Sequence, residues 1–229
     1  MVVKIPAIRF ENVWKIYRMG SVEFPALRGV TLSIESGEFV AVVGPSGSGK
    51  STLLHISGAL DRPTKGKVFI NGVDISVLND TELSELRNRT IGFVFQAYNL
   101  IPRLTAKQNV ELPLMLRGIP PNERERLAIR ALELVGLASK LNNKPTELSG
   151  GEQQRVAIAR AIVTDPKILL CDEPTGNLDS KSAEGVMNVI KDINKRYGST
   201  IVVVTHNMEI AESAERIIRL RDGMVYEGA

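Results

Sequence analysis

Nine consecutive residues, Gly44-Pro45-Ser46-Gly47-Ser48-Gly49-Lys50-Ser51-Thr52, have the types and spacing needed to hold a polyphosphate. They fit the pattern G-x-x-x-x-G-K-[ST]. Glycines let backbone N–H groups close around an anion without side chains in the way. A helix starting near Gly49 turns its positive end toward the phosphates. Lys50 can reach the β- and γ-phosphates, and the Ser51 hydroxyl can hold Mg²⁺. The bland alternative is a strand–turn–helix with glycine at the turn. As a phosphate loop the segment implies a nucleoside triphosphate and leaves the base open.

Three further polar groups each close an apolar run. Ile168-Leu169-Leu170-Cys171 ends in Asp172-Glu173, Ile91-Gly92-Phe93-Val94-Phe95 ends in Gln96, and Ile201-Val202-Val203-Val204 ends in Thr205-His206. Asp172 fits an acid that holds Mg²⁺, and Glu173 is left to orient or deprotonate an attacking water. Successive strand residues point to opposite sides, so the two carboxylates need not compete for a metal. A helix cap or a solvated strand end is the alternative for this pair. His206 can bond a γ-phosphate or be structural. His55 and Cys171 read as packing residues.

Leu148-Ser149-Gly150-Gly151-Glu152-Gln153 is the second specific stretch. Ser149 with Glu152 is a capping box. Two glycines in a first turn cost about 1 kcal/mol each relative to Ala, so the helix does not need them. Exposed N–H groups approaching a phosphate do. The site of Lys50 already has its own helix terminus. A second chain bringing its Ser149 segment to the first chain's nucleotide is one physical solution.

The elements behind these residues follow from periodicity. Phe39–Val43 reads as a buried strand. Residues 5–40 alternate apolar and polar in short runs, as in antiparallel sheet with one buried face. Residues 17–25 read as a long hairpin connection. Thr81–Arg89 reads as a short polar helix, and 97–147 as mostly helical, punctuated by Pro102, Pro113, Pro120, Pro121 and Pro145. Asn122 with Glu125 looks like a helix start. Helices are expected over Ser149–Val163 and Ser180–Tyr197, the latter closed by Gly198, and a hairpin about Asp222-Gly223. Strands alternating with helices argue for an α/β fold with a parallel sheet. In such sheets ligands bind outside the carboxyl ends of the strands, so the four polar ends meet if their strands are neighbours.

Composition bounds the rest. The chain has 229 residues, enough for one domain or two and for a large core. With 29 basic and 26 acidic residues and a net charge of +3, there is no dense basic run and no case for nucleic-acid binding. No apolar run approaches the ~18 residues of a membrane span. The start lacks a signal-peptide pattern, and one cysteine suits a reducing cytosol. The expectation is a cytoplasmic chain that reaches a membrane through a partner.

Taken together, Gly44–Thr52, Gln96, Leu148–Gln153, Ile168–Glu173, Asn177-Leu178-Asp179 and His206 resemble the ATP-binding cassette family, the nucleotide-binding subunits of ABC transporters. The likeness runs over roughly residues 7–227. Gly92-Phe93-Val94-Phe95-Gln96 and Asn109-Val110-Glu111-Leu112-Pro113-Leu114 look like the lipoprotein-release and macrolide-export branch, and the connection at Arg18–Pro25 fits it. Cys171, Arg103 and Ala106 vary the usual pattern without touching a catalytic position.

The resemblance implies a P-loop NTPase core with an antiparallel β part on its N-terminal side and a helical part inserted after Gln96. It makes 1–229 a single cassette, with a core of 1–96 and 165–229 and a helical part of 97–164. It implies ATP, with Tyr17 stacked on adenine, and two cassettes closing head to tail over two ATP molecules. Ser149, Gly150, Gly151 and Glu152 of one chain then face the nucleotide held by Lys50 of the other, and Asp179 crosses the interface. Glu173 activates water, His206 supports the γ-phosphate, and Gln96 senses Mg²⁺ and links to a transmembrane permease through 97–147. That places the chain on the cytoplasmic face of the membrane. Two rival readings are a soluble ATPase of the family not coupled to transport, and a degenerate module that closes on ATP without hydrolysis. Large insertions or a second cassette mark the first, and loss of residues such as Glu173 and His206 marks the second.

Overall fold

Phe39–Val43, the run ahead of the phosphate loop, is buried at every residue. It forms β3 in a computed structural model that describes residues 5–226. Before it come β1 (Ile8–Met19) and β2 (Val22–Ile34). After it come α1 (Lys50–Ser57), β4 (Lys65–Ile70), β5 (Val73–Asp74), α2 (Asp80–Thr90) and β6 (Ile91–Phe95). Three helices follow, α3 (Ala106–Leu116), α4 (Pro121–Leu134) and α5 (Gly150–Ile162). The chain continues through β7 (Ile168–Asp172), α6 (Ser180–Tyr197), β8 (Thr200–Val204), α7 (Met208–Ala211), β9 (Arg216–Arg221) and β10 (Met224–Tyr226).

Six strands form one sheet in the order β10-β9-β3-β8-β7-β6, and four form another in the order β2-β1-β4-β5. The five strands from β9 to β6 are parallel, and β10 runs antiparallel to β9. The second sheet is antiparallel throughout. This is the α/β architecture expected, a mostly parallel core with an antiparallel part built from the N-terminal side.

β3, β7 and β8 are almost continuously apolar because both faces of their sheet are covered. Val40, Val42, Ile168, Leu170, Val202 and Val204 pack toward α1 and the second sheet, against Phe10, Val30 and Ile70. The alternate residues Phe39, Leu169, Cys171, Ile201 and Val203 pack toward the helices, against Val110, Leu132, Ile158, Val186 and Ile190. The helices after Gln96 therefore share one core with the sheet.

Three local expectations are corrected. Residues 17–19 and 22–25 are strand, and the connection is a tight turn at Gly20-Ser21, with a φ of 62° at Gly20. Tyr17 pairs with Phe24 across it, and Arg18 meets Glu23 at 2.9 Å. Pro25 is tolerated because β2 is an edge strand. Pro113 lies inside α3 and does not break it. α4 starts at Pro121 without a side-chain cap, so Asn122 is inside it. Proline at the first helical position needs no N–H partner and already has a helical φ. Among the described residues, no helix is long and apolar enough to cross a membrane.

Candidate functional site

Parallel register sets the site. Phe95 lies opposite Asp172, Asp172 opposite Val204, and Val204 opposite Val42. The residues that follow, Gln96, Glu173, Thr205 and the phosphate loop, leave the sheet at one level on one edge. The four strands are consecutive neighbours, so the expected convergence occurs.

Close packing explains two of the loop glycines. A Cβ on Gly44 would sit 2.1 Å from the Leu220 carbonyl oxygen of β9. One on Gly49, whose φ is +101°, would sit 2.5 Å from the Ala26 carbonyl oxygen of β2. The loop is thus wedged between both sheets, while Pro45, Ser46 and Gly47 stay exposed. Ser48 is buried, and its Oγ has no hydrogen-bond partner. Lys50 Nζ donates to the carbonyls of Gly44 (2.7 Å) and Pro45 (2.9 Å), which holds the ammonium at the loop. Ser51 is exposed in the first turn of α1, and Thr52 is half-buried beside it.

Asp172 and Glu173 are separated differently from the sequence expectation. β7 ends at Asp172, and Glu173 turns into the left-handed region with φ 46°. Strand alternation does not apply across that kink, which precedes Pro174. The Glu173 N–H donates to the Val204 carbonyl at 2.9 Å, and its carboxylate meets His206 Nδ1 at 2.9 Å. A carboxylate accepts, so Nδ1 carries the proton and Nε2 is free to face outward. Burial pushes the Asp172 carboxyl up; the charges of His55 and Lys50 oppose the rise, and that of Glu173 adds to it. His55, expected to be a packing residue, therefore lies within electrostatic reach of the candidate metal ligand. A lone imidazole in an apolar helix was the signal for it.

Gln96 is held by Asn177. Its Nε2 donates to Asn177 Oδ1, and Asn177 Nδ2 returns a bond to the Gln96 carbonyl, both at 3.1 Å. A Cβ on Gly176 would sit 2.6 Å from Gln96 Nε2. With its amide N–H spent on Asn177, Gln96 can turn Oε1 to a cation. Ser51, Asp172 and Gln96 together offer hydroxyl, carboxylate and amide oxygen, the hard donors Mg²⁺ prefers alongside phosphate and water. This donor set fits the ion.

Ser149 caps α5 as expected. Its Oγ accepts from the Glu152 N–H at 3.3 Å, and its own N–H donates to Glu152 Oε2 at 2.8 Å. That bond to the Ser149 backbone leads the effects that hold the Glu152 carboxyl below the usual range, against the opposing effect of burial. The glycines have an intramolecular reason that the sequence reading missed. A Cβ on Gly150 would lie 2.9 Å from the Tyr98 hydroxyl, and one on Gly151 3.0 Å from Ser182 Cβ. Asp179 caps α6 by accepting from the N–H and Oγ of the same Ser182. Those bonds, the hydroxyl's first, lower the Asp179 carboxyl. So Ser149–Glu152 and Asp179 form one neighbouring group at two helix starts. Among the described residues, no hydrogen bond joins that group to the phosphate loop.

The two groups are tied through α5. The buried Gln154 donates to the Pro174 carbonyl at 2.7 Å, next to Glu173. Arg160 donates to the carbonyls of Asn99 (2.5 Å) and Tyr98 (2.8 Å), residues held at positive φ just after Gln96. Tyr17 stands near the end of β1, with its hydroxyl 3.0 Å from Asp61 Oδ2. Burial pushes its phenol up, with the Thr52 hydroxyl opposing, which places it beside the first turn of α1.

The sequence model of the family described as ABC transporter matches residues 27–176. The chain belongs to the ABC transporter family. An ABC transporter ATP-binding protein of Thermotoga maritima is 56% identical over 93% of this ABC chain and 91% of its own length. The macrolide export ATP-binding/permease protein MacB of Brucella melitensis is 49% identical over 96% of this chain, which spans 34% of that protein. Two solved structures of the cassette MJ0796 cover 96% of the chain and 97% of their own, each with a TM-score of 0.89. One, 50% identical, is a dimeric transporter cassette. The other, 49% identical, is a dimeric post-hydrolysis state bound to ADP and Pi. ABC membership makes the chain an ATP-binding cassette of the transporter ATPases, and the MacB match agrees with the macrolide-export resemblance.

Proposed function

We propose that the chain is the ATP-hydrolysing subunit of an ABC transporter, working as a head-to-tail pair that drives a membrane permease. The observation that carries this reading is the single strand edge on which the phosphate loop, Gln96, Asp172-Glu173 and Thr205-His206 emerge in register. Lys50 and the loop N–H groups hold the phosphates, and Glu173 accepts the proton of the attacking water. His206, held by Glu173 at Nδ1, donates to the γ-phosphate from Nε2–H when the ring carries both protons. Ser51 and Asp172, with Gln96 near, would hold Mg²⁺, which would supply neutralisation of phosphate charge.

The Ser149–Glu152 and Asp179 group completes the site from the second copy. The exposure of Ser149 and Asp179 and the group's lack of any bond to the loop of its own chain support that assignment, as do the dimeric relatives. Residues 97–164 form the helical part within a single cassette of 1–229 and carry Ser149–Glu152, while Asp179 comes from the core part. A groove of about 830 Å³ between α2, β6 and α3, with Leu112, Leu116, Arg87 and Arg117 on its walls, is where the permease seats. Leu116 is 82% exposed there, an apolar side chain suited to a partner. The chain then sits on the cytoplasmic face of a membrane through that partner.

Steady-state ATPase assays with MgCl₂ or with excess EDTA test the chemistry. Turnover that persists in EDTA removes the metal from the reading. Leu116→Glu tests the partner. It should cut co-purification with the permease and leave ATP affinity intact, and unchanged co-purification would move the docking site elsewhere.

A further inference from the structure

We propose that Lys15 and Asp61 are positioning residues that hold the Tyr17 ring as a one-sided platform for the purine base, at a fixed distance from the phosphate loop. The proposal rests on the reading that Tyr17 meets the base, and it explains how a ring on the second sheet keeps station with a loop on the first.

Asp61 grips two neighbours at once. Its Oδ2 accepts from the Tyr17 hydroxyl at 3.0 Å, and its Oδ1 accepts from Lys15 Nζ at 2.5 Å. Burial would raise this carboxyl, but hydrogen bonds from Lys15, the Arg62 N–H and Tyr17 hold it lowered, so it stays an acceptor. Lys15 Nζ donates also to the Arg62 carbonyl at 2.9 Å, and it lies over the Tyr17 ring, 5.0 Å from the centroid. Lys15 and Tyr17 are two apart on β1 and so share a side of the strand. The Lys15 side chain is only 13% exposed, whereas Tyr17 is 36% exposed. One ring face is therefore taken by an ammonium. A stacking base must use the other.

The same segment fixes the spacing. Asp61 follows α1, whose first residue is Lys50. The Leu60 N–H donates to the His55 carbonyl at 2.9 Å, which ties this exit to the helix. The Thr64 N–H donates to the Trp14 carbonyl at 2.7 Å, and Thr64 Oγ1 accepts from the Ile16 N–H at 3.0 Å. Residues 60–64 thus stitch the phosphate-loop helix to the part of β1 that bears Tyr17. Cation and phenol are locked before any base arrives, so little ordering is left to binding.

The test is calorimetric binding of MgATP and of magnesium tripolyphosphate, which lacks the base, with thermal melts alongside. Asp61→Ala and Lys15→Met should each weaken MgATP about threefold to tenfold, a part of a full stacking contribution, and leave tripolyphosphate unchanged. Tyr17→Phe should show a similar loss, and the Tyr17→Phe/Asp61→Ala double variant should be no worse than Asp61→Ala. Lys15→Arg should restore most of the affinity. Lys15→Met keeps phenol and carboxylate in place and carries the test alone if Asp61→Ala does not fold. Parallel losses for both ligands would mean general loosening and overturn the proposal. If Tyr17→Ala binds ATP like wild type, the base reading itself falls. If Tyr17→Ala weakens ATP and the Lys15 and Asp61 variants do not, the positioning proposal alone falls.

Discussion

Ser149→Ala separates a helix cap from a shared phosphate ligand. The substitution removes one hydroxyl. In the chain itself that hydroxyl accepts a single long bond, 3.3 Å from the Glu152 N–H, at an exposed position. The reciprocal 2.8 Å bond from the Ser149 N–H to Glu152 Oε2 needs no hydroxyl and survives. The stability cost should therefore fall at the low end of cap losses, about 0.5–1 kcal/mol. For a chain of this size, about 1 kcal/mol moves Tm by roughly 2–4 °C. Activity should fall far more, because removing one donor to developing charge costs about 10²–10³ in turnover. Melting curves and steady-state ATPase rates of the same preparation measure both. Mixing Ser149→Ala with Lys50→Ala chains should then recover activity, since one of the two composite sites is intact in the mixed dimer. A variant that melts slightly earlier and hydrolyses ATP at the wild-type rate would refute the sharing argument. So would a failure to recover at every mixing ratio.

Two further outcomes follow from the same geometry. Asp172 has its folded pKa raised, so the unfolded chain releases this proton at lower pH and stability falls as pH rises through the window above 3.8. Asp172→Asn removes that penalty. It should melt higher than wild type at pH 7, with the gain vanishing in acid, while Mg²⁺-dependent ATP binding is lost; a lower Tm at pH 7 contradicts this. Arg160→Met strips the carbonyls of Tyr98 and Asn99 of their charged donor, worth about 1.5–3 kcal/mol per bond. Amide exchange over residues 96–105 should accelerate, and unchanged exchange there would mean that the loop is held otherwise.

The phosphate loop and the strand ends were legible because both signals are local. An apolar run states a buried strand, and the glycines after it state a tight turn. The order of the strands was not legible, since it depends on pairing between segments far apart in sequence. The glycines of Ser149-Gly150-Gly151 show the same limit. Helix propensity marked them as superfluous, but Tyr98 and Ser182, brought in by other elements, crowd the space a Cβ would take. Glu173 was read by strand alternation, which ends one residue earlier than assumed. Residues 17–25 read as a long connection, and the edge position of β2 explains why a strand there tolerates Pro25. His55 looked like core because its helix is apolar, and the approach of Asp172 could not be seen along the chain.

In the proposed cycle ATP closes two copies of this chain and Glu173 reopens them by hydrolysis. Glu173→Gln is the sharpest probe. Glutamine keeps an acceptor for His206 Nδ1, now 2.9 Å from the carboxylate, so the turn is preserved while the base is lost. The measurement is light scattering on a sizing column for this variant with MgATP, MgADP or no nucleotide. The expected result is a dimer with MgATP alone and negligible turnover. A variant that stays monomeric with MgATP, or that hydrolyses it at the wild-type rate, contradicts the proposed cycle.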